Sequence, residues 1–370
     1  MSISRVGPLL RTGETLSEMM QAAVWTAEGT LEVMDVPKPR LRGAQDVVAR
    51  VRASGICGSD LHGWRVPRPE RVGRITGHEL AGEVVEVGDD VTHVAVGDRV
   101  AIESLVGCGR CRWCRVGRYH LCPELSRIRG ETLSRGFAQY VGGPAAKCTR
   151  IADHVKLEWA PLLDCYAVNV HAFHVADVQL HETVAIIGQG PMGLTMTDLA
   201  HAIGVKAVAL ALREFPLSVA EALGAWATVN SRRLDPVARV LELTDGYGVD
   251  TTFLQAGGRN PNPLMQALQM TKRGGKVFIV GLPTEGSGVE GFDTRLLSGE
   301  KTLGYVNSFS TWGDCSENAI ALDYLTRGRL HPEPLITHRF PLMAITEAFD
   351  TAANKKTTNA IKVLILQEEA

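Results

Sequence analysis

Eight cysteines stand in the 370-residue chain, and four of them, Cys108, Cys111, Cys114 and Cys122, fall in the spacing C-x2-C-x2-C-x7-C. Four thiolates on so short a stretch suit a tetrahedral zinc in a closed, structural site, because sulfur fills every position and none is left for a substrate. Iron–sulfur ligation is the competing reading of such a spacing. The lobe also carries Arg110, Arg112, Arg115 and Arg118 with Trp113 and Tyr119, which a nucleic-acid-binding knuckle would share. A second group has a different character. Cys57 sits in ICGSDLH, and GHELAGE follows with His78 and Glu79. One thiolate, one imidazole and adjacent carboxylates are the mixed donor set of a catalytic zinc, which keeps an exchangeable position. Taken singly, a Cys is most often a small buried hydrophobe and a His-Glu pair a surface ion pair. The coincidence of the motifs argues for chemistry.

A third motif binds a different ligand. Gly188-Gln189-Gly190-Pro191-Met192-Gly193 follows the apolar run TVAII and opens a segment of helical spacing. In a dinucleotide-binding turn the first Gly permits the bend, the second lets backbone N–H groups approach a pyrophosphate, and the third lets helix and strand pack closely. The acid expected at the end of the next strand, which would hold the ribose 2′-OH of NAD, is missing. Ala211 holds that position and Arg213 follows. Loss of the acid removes repulsion toward a 2′-phosphate, and an Arg pairs with one, so NADP is favoured over NAD. The adjacent Glu214, and a reading of Arg213 as a solvated helix-entry charge, keep NAD open. Gly281 and Leu282, closing the later run KVFIVGL, are expected to line the same cofactor.

The elements that must position these groups follow two grammars. From Met20 to about residue 150 the chain has short Val-rich runs such as DVVARVRASGI and GEVVEVG, punctuated by Gly and Pro, which is the vocabulary of an antiparallel β domain. From about residue 174, strands (TVAII, KAVALAL, VDTTFLQA, KVFIVG, KTLGYV) alternate with helical segments, implying a parallel sheet covered on both faces. Two further helical segments and the strand IKVLILQ close the chain and are expected to return to the first domain. Residues 1–19 read as an N-terminal extension. With 39 Lys+Arg against 41 Asp+Glu, the chain has no global drive toward nucleic acid or an anionic membrane. No cationic-then-apolar leader opens it, and no apolar run reaches the roughly 18–20 residues of a membrane span. A cytoplasmic protein is the expectation, and in a reducing compartment a Cys cluster reads as a metal site.

Together the ICGSDLH stretch, GHELAGEVVEVG, the four-Cys lobe and the glycine loop, in that order, resemble the zinc-containing medium-chain alcohol dehydrogenases. The resemblance covers about residues 20–367. It implies a GroES-like β-rich catalytic domain, residues 20–173 and 313–370, split around a Rossmann doubly wound domain, residues 174–312. It also implies a catalytic zinc held by Cys57 and His78, with Glu79 as third ligand or close neighbour. The family's archetypal alcohol dehydrogenases add a second Cys. Here the matching stretch, LDCYAVNVH, is similar to those of sorbitol and threonine dehydrogenases, which places Asp164 at the carboxylate position and makes Cys165 the weaker candidate. Where sorbitol dehydrogenases carry Arg and Tyr for the polyol, this chain has Asn307 and Ser308, which argues against sorbitol itself and leaves a cyclitol, amino sugar, amino alcohol or other small secondary alcohol open.

Zinc at Cys57 and His78 would lower the pKa of an alcohol oxygen, and the nicotinamide would take the hydride. The resemblance gives Ser59 the proton and His62 the relay outward, imidazole being the side chain that titrates closest to neutral pH. Without such a role, Ser59 is an ordinary turn hydroxyl and His62 a surface imidazole. His171 reads as a satisfied core histidine, and His93, His120, His174, His181 and His201 receive no role. Two rivals remain: a non-zinc quinone-reductase-like relative, which would lack the cysteines present here, and a catalytically silent homologue. By resemblance, subunits pair sheet edge to sheet edge into a dimer or tetramer. Metal analysis of the purified protein should find about two zinc ions per chain, one of them readily removed by chelator; a single tightly held ion would favour the silent homologue.

Overall fold

The computed structural model describes residues 18–125, 135–256, 262–280 and 292–367. An N-terminal hairpin pairs β1 (Met19–Trp25) with β2 (Leu31–Pro37). The first domain continues through β3 (Asp46–Gly55), β4 (Glu79–Val87), β5 (Arg99–Glu103), β6 (Tyr140–Pro144) and β7 (Cys148–Arg150). Alternating Val and polar residues give β3 one face on an apolar core of Val47, Ala49, Val51, Leu80, Val84 and Val100. After β7 the chain enters helix α1 (Leu163–Ala176), which runs without a break through residue 173. Its apolar residues are buried all round, since it is packed between the two halves of the molecule.

The second domain is a six-stranded sheet of β8 (Thr183–Ile187), β9 (Lys206–Ala211), β10 (Ala227–Asn230), β11 (Val249–Leu254), β12 (Thr271–Val280) and β13 (Thr302–Val306). All its pairings are parallel, in the order β10-β9-β8-β11-β12-β13. This is the Rossmann order, with the topological switch between β8 and β11, where a dinucleotide lies across the strand ends. Helices α2 (Pro191–Ala202), α3 (Glu214–Ala222), α4 (Pro236–Leu243) and α5 (Asn262–Met270) connect the strands. The β-branched run of β8 is sealed from water on both faces, Val184, Ala185 and Ile186 all being 0% exposed.

The chain then forms the short pair β14 (Thr311–Trp312) and β15 (Cys315–Ser316) before α6 (Glu317–Thr326), whose cap Ser316 accepts from the Ala319 N–H. Strand β16 (Ile336–Pro341), helices α7 (Ile345–Ala353) and α8 (Lys355–Thr358) and strand β17 (Lys362–Leu366) complete it. As expected, the last strand returns to the first domain: β17 pairs with β3 inside a seven-stranded sheet. A cluster of aromatic rings locks that return. Phe349 of α7 lies 4.8 Å from Trp64, 5.5 Å from Phe137 and 6.2 Å from Trp25, centroid to centroid. Because Phe349 is fully buried, a Phe349→Ala chain should lose about 3–5 kcal/mol of stability, read as a lower urea midpoint. A midpoint within error of the parent would show that the cluster does not anchor the C-terminal segment.

Candidate active site and cofactor cleft

Strand register brings the first donor group together. Gly55, the last residue of β3, pairs with Glu79, the first of β4, so Cys57 and His78 sit side by side just beyond the paired ends. Ligand atoms of Cys57, His78 and Glu79 lie within 4.8 Å of one another. Asp60, 6% exposed, braces two of them: its Oδ2 accepts the Cys57 N–H at 3.0 Å, and its Oδ1 lies 3.7 Å from His78 Nδ1. A soft thiolate and an imidazole, braced by a carboxylate, are donors that fit zinc.

Glu79 has a partner that the motif did not suggest. Both its oxygens accept from Lys362 Nζ, at 2.8 and 2.6 Å, and both residues are 1% exposed. Register explains this contact as well: Leu364 of β17 also pairs with Gly55, which carries Lys362 to the same end of the sheet. Gly55 has to be glycine, since a Cβ there would run into Glu79 Oε2. Burial works against ionisation of Glu79, yet the Lys362 charge, aided by His78, holds its carboxyl below the ordinary value. Burial likewise opposes the Lys362 ammonium, but the surrounding Cys165, Glu79 and Cys57 hold its pKa raised.

Asp164 and Cys165 stand in different surroundings. Among the described residues Asp164 does not join the Cys57–His78–Glu79 group. It is half-buried in the first turn of α1 and shares with Glu79 the lining of a small cavity. Cys165, one step of about 100° further round the helix, points at Glu79 instead, with Sγ 3.6 Å from Oε1, and burial pushes its thiol well up. Ser59 is half-buried on the turn after Cys57, and His62 beyond it is exposed. Asn307 is exposed, and Ser308 adopts φ +67°.

In the cofactor loop each glycine has its own reason. Gly188 turns with φ +101°, and a Cβ would crowd Ala256; a Cβ on Gly193 would strike the Gly188 carbonyl. Around Gly190 there is open space, which leaves its backbone approachable by a ligand. Pro191 is the first residue of α2, and Met192 is tied by its carbonyl to Asn169 Nδ2 at 2.9 Å. Asn169, fully buried on α1, also bonds Thr195 and accepts from Gln255 at the end of β11. One side chain thus joins α1, the helix behind the loop and the switch point. Ala211 and Arg213 stand at the end of β9, the latter with Nη1 donating to the Lys355 carbonyl at 2.7 Å. Gly281 and Leu282, and all of the N-terminal extension except its last two residues, lie outside the described residues.

Elsewhere the four lobe thiols, Cys108, Cys111, Cys114 and Cys122, lie with their sulfurs within 4.8 Å of one another. Backbone N–H groups of Arg110 and Cys111 bring Cys108 down to about 7, whereas burial pushes Cys114 up to about 12. Four sulfurs at this separation are a donor set that fits a dication such as zinc. The lobe is coupled to α1 by a network that no sequence motif announced. The fully buried Glu317 accepts from Nδ1 of both His171 and His174 at 2.9 Å, and His120 of the lobe bonds Ser310 at 2.8 Å with its ring 4.7 Å from that of His171.

Known proteins resemble the chain in sequence and in fold. The profile of the alcohol dehydrogenase GroES-like domain matches residues 43–153, and that of the zinc-binding dehydrogenases residues 191–322. The chain is 33% identical to a sorbitol dehydrogenase of Arabidopsis thaliana, covering 95% of this chain and 96% of that one. An L-threonine 3-dehydrogenase of Caldanaerobacter subterraneus subsp. tengcongensis is 32% identical over 81% of this chain and 86% of its own length. Among solved structures, one named as a zinc-binding dehydrogenase of Sinorhizobium meliloti 1021 bound to NADP has a TM-score of 0.82 at 29% identity, covering 95% of this chain and 100% of that one. No helix among the described residues is long and apolar enough to cross a membrane.

Removing Lys362 leaves a buried carboxylate uncompensated. Lys362→Met should cost about 3–5 kcal/mol in urea unfolding, and adding Glu79→Gln should recover part of the loss. Strictly additive losses would mean that the two side chains do not interact.

Proposed function

We propose the chemistry from one premise: this chain belongs to the zinc-containing medium-chain alcohol dehydrogenase family, in its polyol and threonine dehydrogenase branch. The reaction is hydride exchange between a secondary alcohol and a nicotinamide cofactor, giving a ketone, or the reverse. The observation that carries the site assignment is the convergence of Cys57, His78 and Glu79 donor atoms within 4.8 Å. In this reading Cys57 and His78 hold the catalytic zinc. Glu79, its oxygens engaged by Lys362, is the close neighbour that balances charge, and Asp164 offers the remaining carboxylate. When bound, zinc supplies Lewis acidity toward the alcohol oxygen, and the nicotinamide supplies the hydride acceptor or donor.

The chain's own groups do the rest. Asp60 fixes the Cys57 backbone and the His78 ring. The Ser59 hydroxyl takes the alcohol proton, and the exposed His62 passes it to solvent. Gly188, Gly190 and Gly193 admit the pyrophosphate, and the free N–H groups at the start of α2 face its charge. Asn169 sets the distance between the loop and the catalytic end of α1. NADP is the favoured cofactor, supported by Ala211 in place of an acid and by the neighbouring Arg213. Substrates are polyols, cyclitols, amino sugars or amino alcohols; the threonine-dehydrogenase-like alternative keeps the same machinery and differs in the substrate's ammonium and carboxylate.

The same reading assigns residues 20–173 and 313–370 to the catalytic domain and 174–312 to the dinucleotide domain. It places a structural zinc on Cys108, Cys111, Cys114 and Cys122, and a cytoplasmic homo-oligomer pairing through the β13 edge. Cys57→Ala should abolish turnover while cofactor binding, followed by nucleotide fluorescence, persists. Ser59→Ala should lower kcat by about 10²–10⁴-fold. Normal turnover by the Cys57 variant would remove the site assignment.

A further inference from the structure

We propose that Arg68 and Arg71, in the loop between β3 and β4, form a seat for an anionic group of the substrate, so that the alcohol oxidised is a polyol carrying a carboxylate or a phosphate. The inference rests on the dehydrogenase reading above and narrows its substrate class.

Positive charge gathers in this loop. From Cys57 to His78 it holds four arginines, Arg65, Arg68, Arg71 and Arg74, and no lysine, against two acids, Asp60 and Glu70. Cys57, Ser59 and His62 stand in the same loop, so the excess lies where the alcohol is to be held. Two of the four cations are accounted for: Arg65 sets its guanidinium on both oxygens of Asp350, and Arg74 is exposed. Asp60 is engaged by Cys57 and His78.

Arg68 and Arg71 differ from these. Arg71 is half-buried, with Nη1 donating to the Asp60 carbonyl at 3.3 Å and its guanidinium 4.8 Å from the centroid of Trp25. A single residue, Asp60, therefore separates it from the metal donors. The Arg71 N–H donates to the Arg68 carbonyl at 2.9 Å, a turn that keeps the two arginines together. Arg68 crosses Gly63, the neighbour of His62: a Cβ there would strike Arg68 Nε, so the glycine makes room for the side chain. That Nε is buried and has no hydrogen-bond partner. Glu70 Oε1 lies 3.5 Å from Arg68 Nη1 on an exposed side chain, and such a pair is weak. Among the described residues Arg71 forms no ion pair; desolvation, followed by the charge of Arg68, holds its pKa below the ordinary value. Adjacent guanidiniums short of counter-ions are a cost to the free protein that an anion relieves, and their forks match the oxygens of a carboxylate or phosphate. A neutral polyol offers only hydroxyls, and a cationic head group is repelled. The seat leaves the reaction itself unaltered. The carbinol C–H departs as hydride to the nicotinamide, the O–H proton goes to Ser59, a C=O forms, and the anionic group is unchanged.

Steady-state kinetics of the full-length, zinc-loaded protein test this with substrates of one chain length: hexitols, hexonates and hexitol 6-phosphates. The parent should show kcat/KM about ten-fold or more higher for an anionic member than for the neutral hexitol, and the ratio of hexonate to hexitol phosphate tells which anion the seat takes. Arg68→Gln and Arg71→Gln should each raise KM for the anionic substrate by about ten-fold, with kcat and the neutral hexitol changed by less than about two-fold. Arg68→Lys, which keeps the charge but loses the fork, should retain part of the preference. A parent that prefers the neutral hexitol overturns the seat, and this comparison stands even where a variant does not fold. A preference for anions that survives both glutamine variants overturns it as well, and so does equal loss on both kinds of substrate, the mark of a merely structural role. A parent with bound cofactor that turns over no secondary alcohol, charged or neutral, overturns instead the dehydrogenase reading on which the seat rests.

Discussion

The ammonium of Lys362 rests on both oxygens of Glu79, and water reaches neither side chain. A pair so placed gains little over apolar residues of the same size, but either member left alone would be a buried charge. The rest of the catalytic end is arranged around that requirement. β17 must return to β3 to deliver the lysine, β3 must end in glycine to make room for the carboxylate, and Cys57 and His78 then follow as the next residues off the paired strand ends. Cys57 and His78 thus stand at the ends of a sheet closed by β3 and β17, which holds their side chains more firmly than a loop would.

Helix α1 carries this order toward the cofactor. Tyr166 donates to the buried Asp198 of α2, and Asn169 reaches the Met192 carbonyl and Gln255. The distance between the Cys57–His78 group and the glycine loop is therefore set by polar contacts buried away from water, whose loss would leave unsatisfied groups. Such contacts restrict how α1 sits against α2 and the end of β11. A hydride transfer, which depends on close approach of two carbon atoms, demands that restriction.

Legibility in the sequence followed the distance between partners. The glycine loop, the four-Cys spacing and the ICGSD and GHE stretches are short-range patterns whose chemistry is written in adjacent residues, and the strands and helices around them carried plain periodicity. What stayed hidden was long-range. Lys362 lies 283 positions from Glu79, Glu317 is 146 from His171, and Lys355 is 142 from Arg213. Nothing in a lone buried-strand lysine or in scattered histidines marks them as partners. Asp60 was visible inside its motif, but its bracing of Cys57 and His78 depends on a turn geometry that residue types do not encode. The different surroundings of Asp164 and Cys165 come from helix phase, since adjacent residues on a helix face different walls.

The network of His120, His171, His174 and Glu317 gives the cysteine lobe a wider reach. Helix α1 begins beside the catalytic group, and after 14 residues, a rod of about 21 Å, it ends among those histidines. The two cysteine-bearing regions are consequently in mechanical series, one at each end of a single helix. An ion held by the lobe sulfurs would thereby also support the Cys57–His78 group at a distance, and disorder introduced at the lobe would have a direct path along α1 to the other end of the helix.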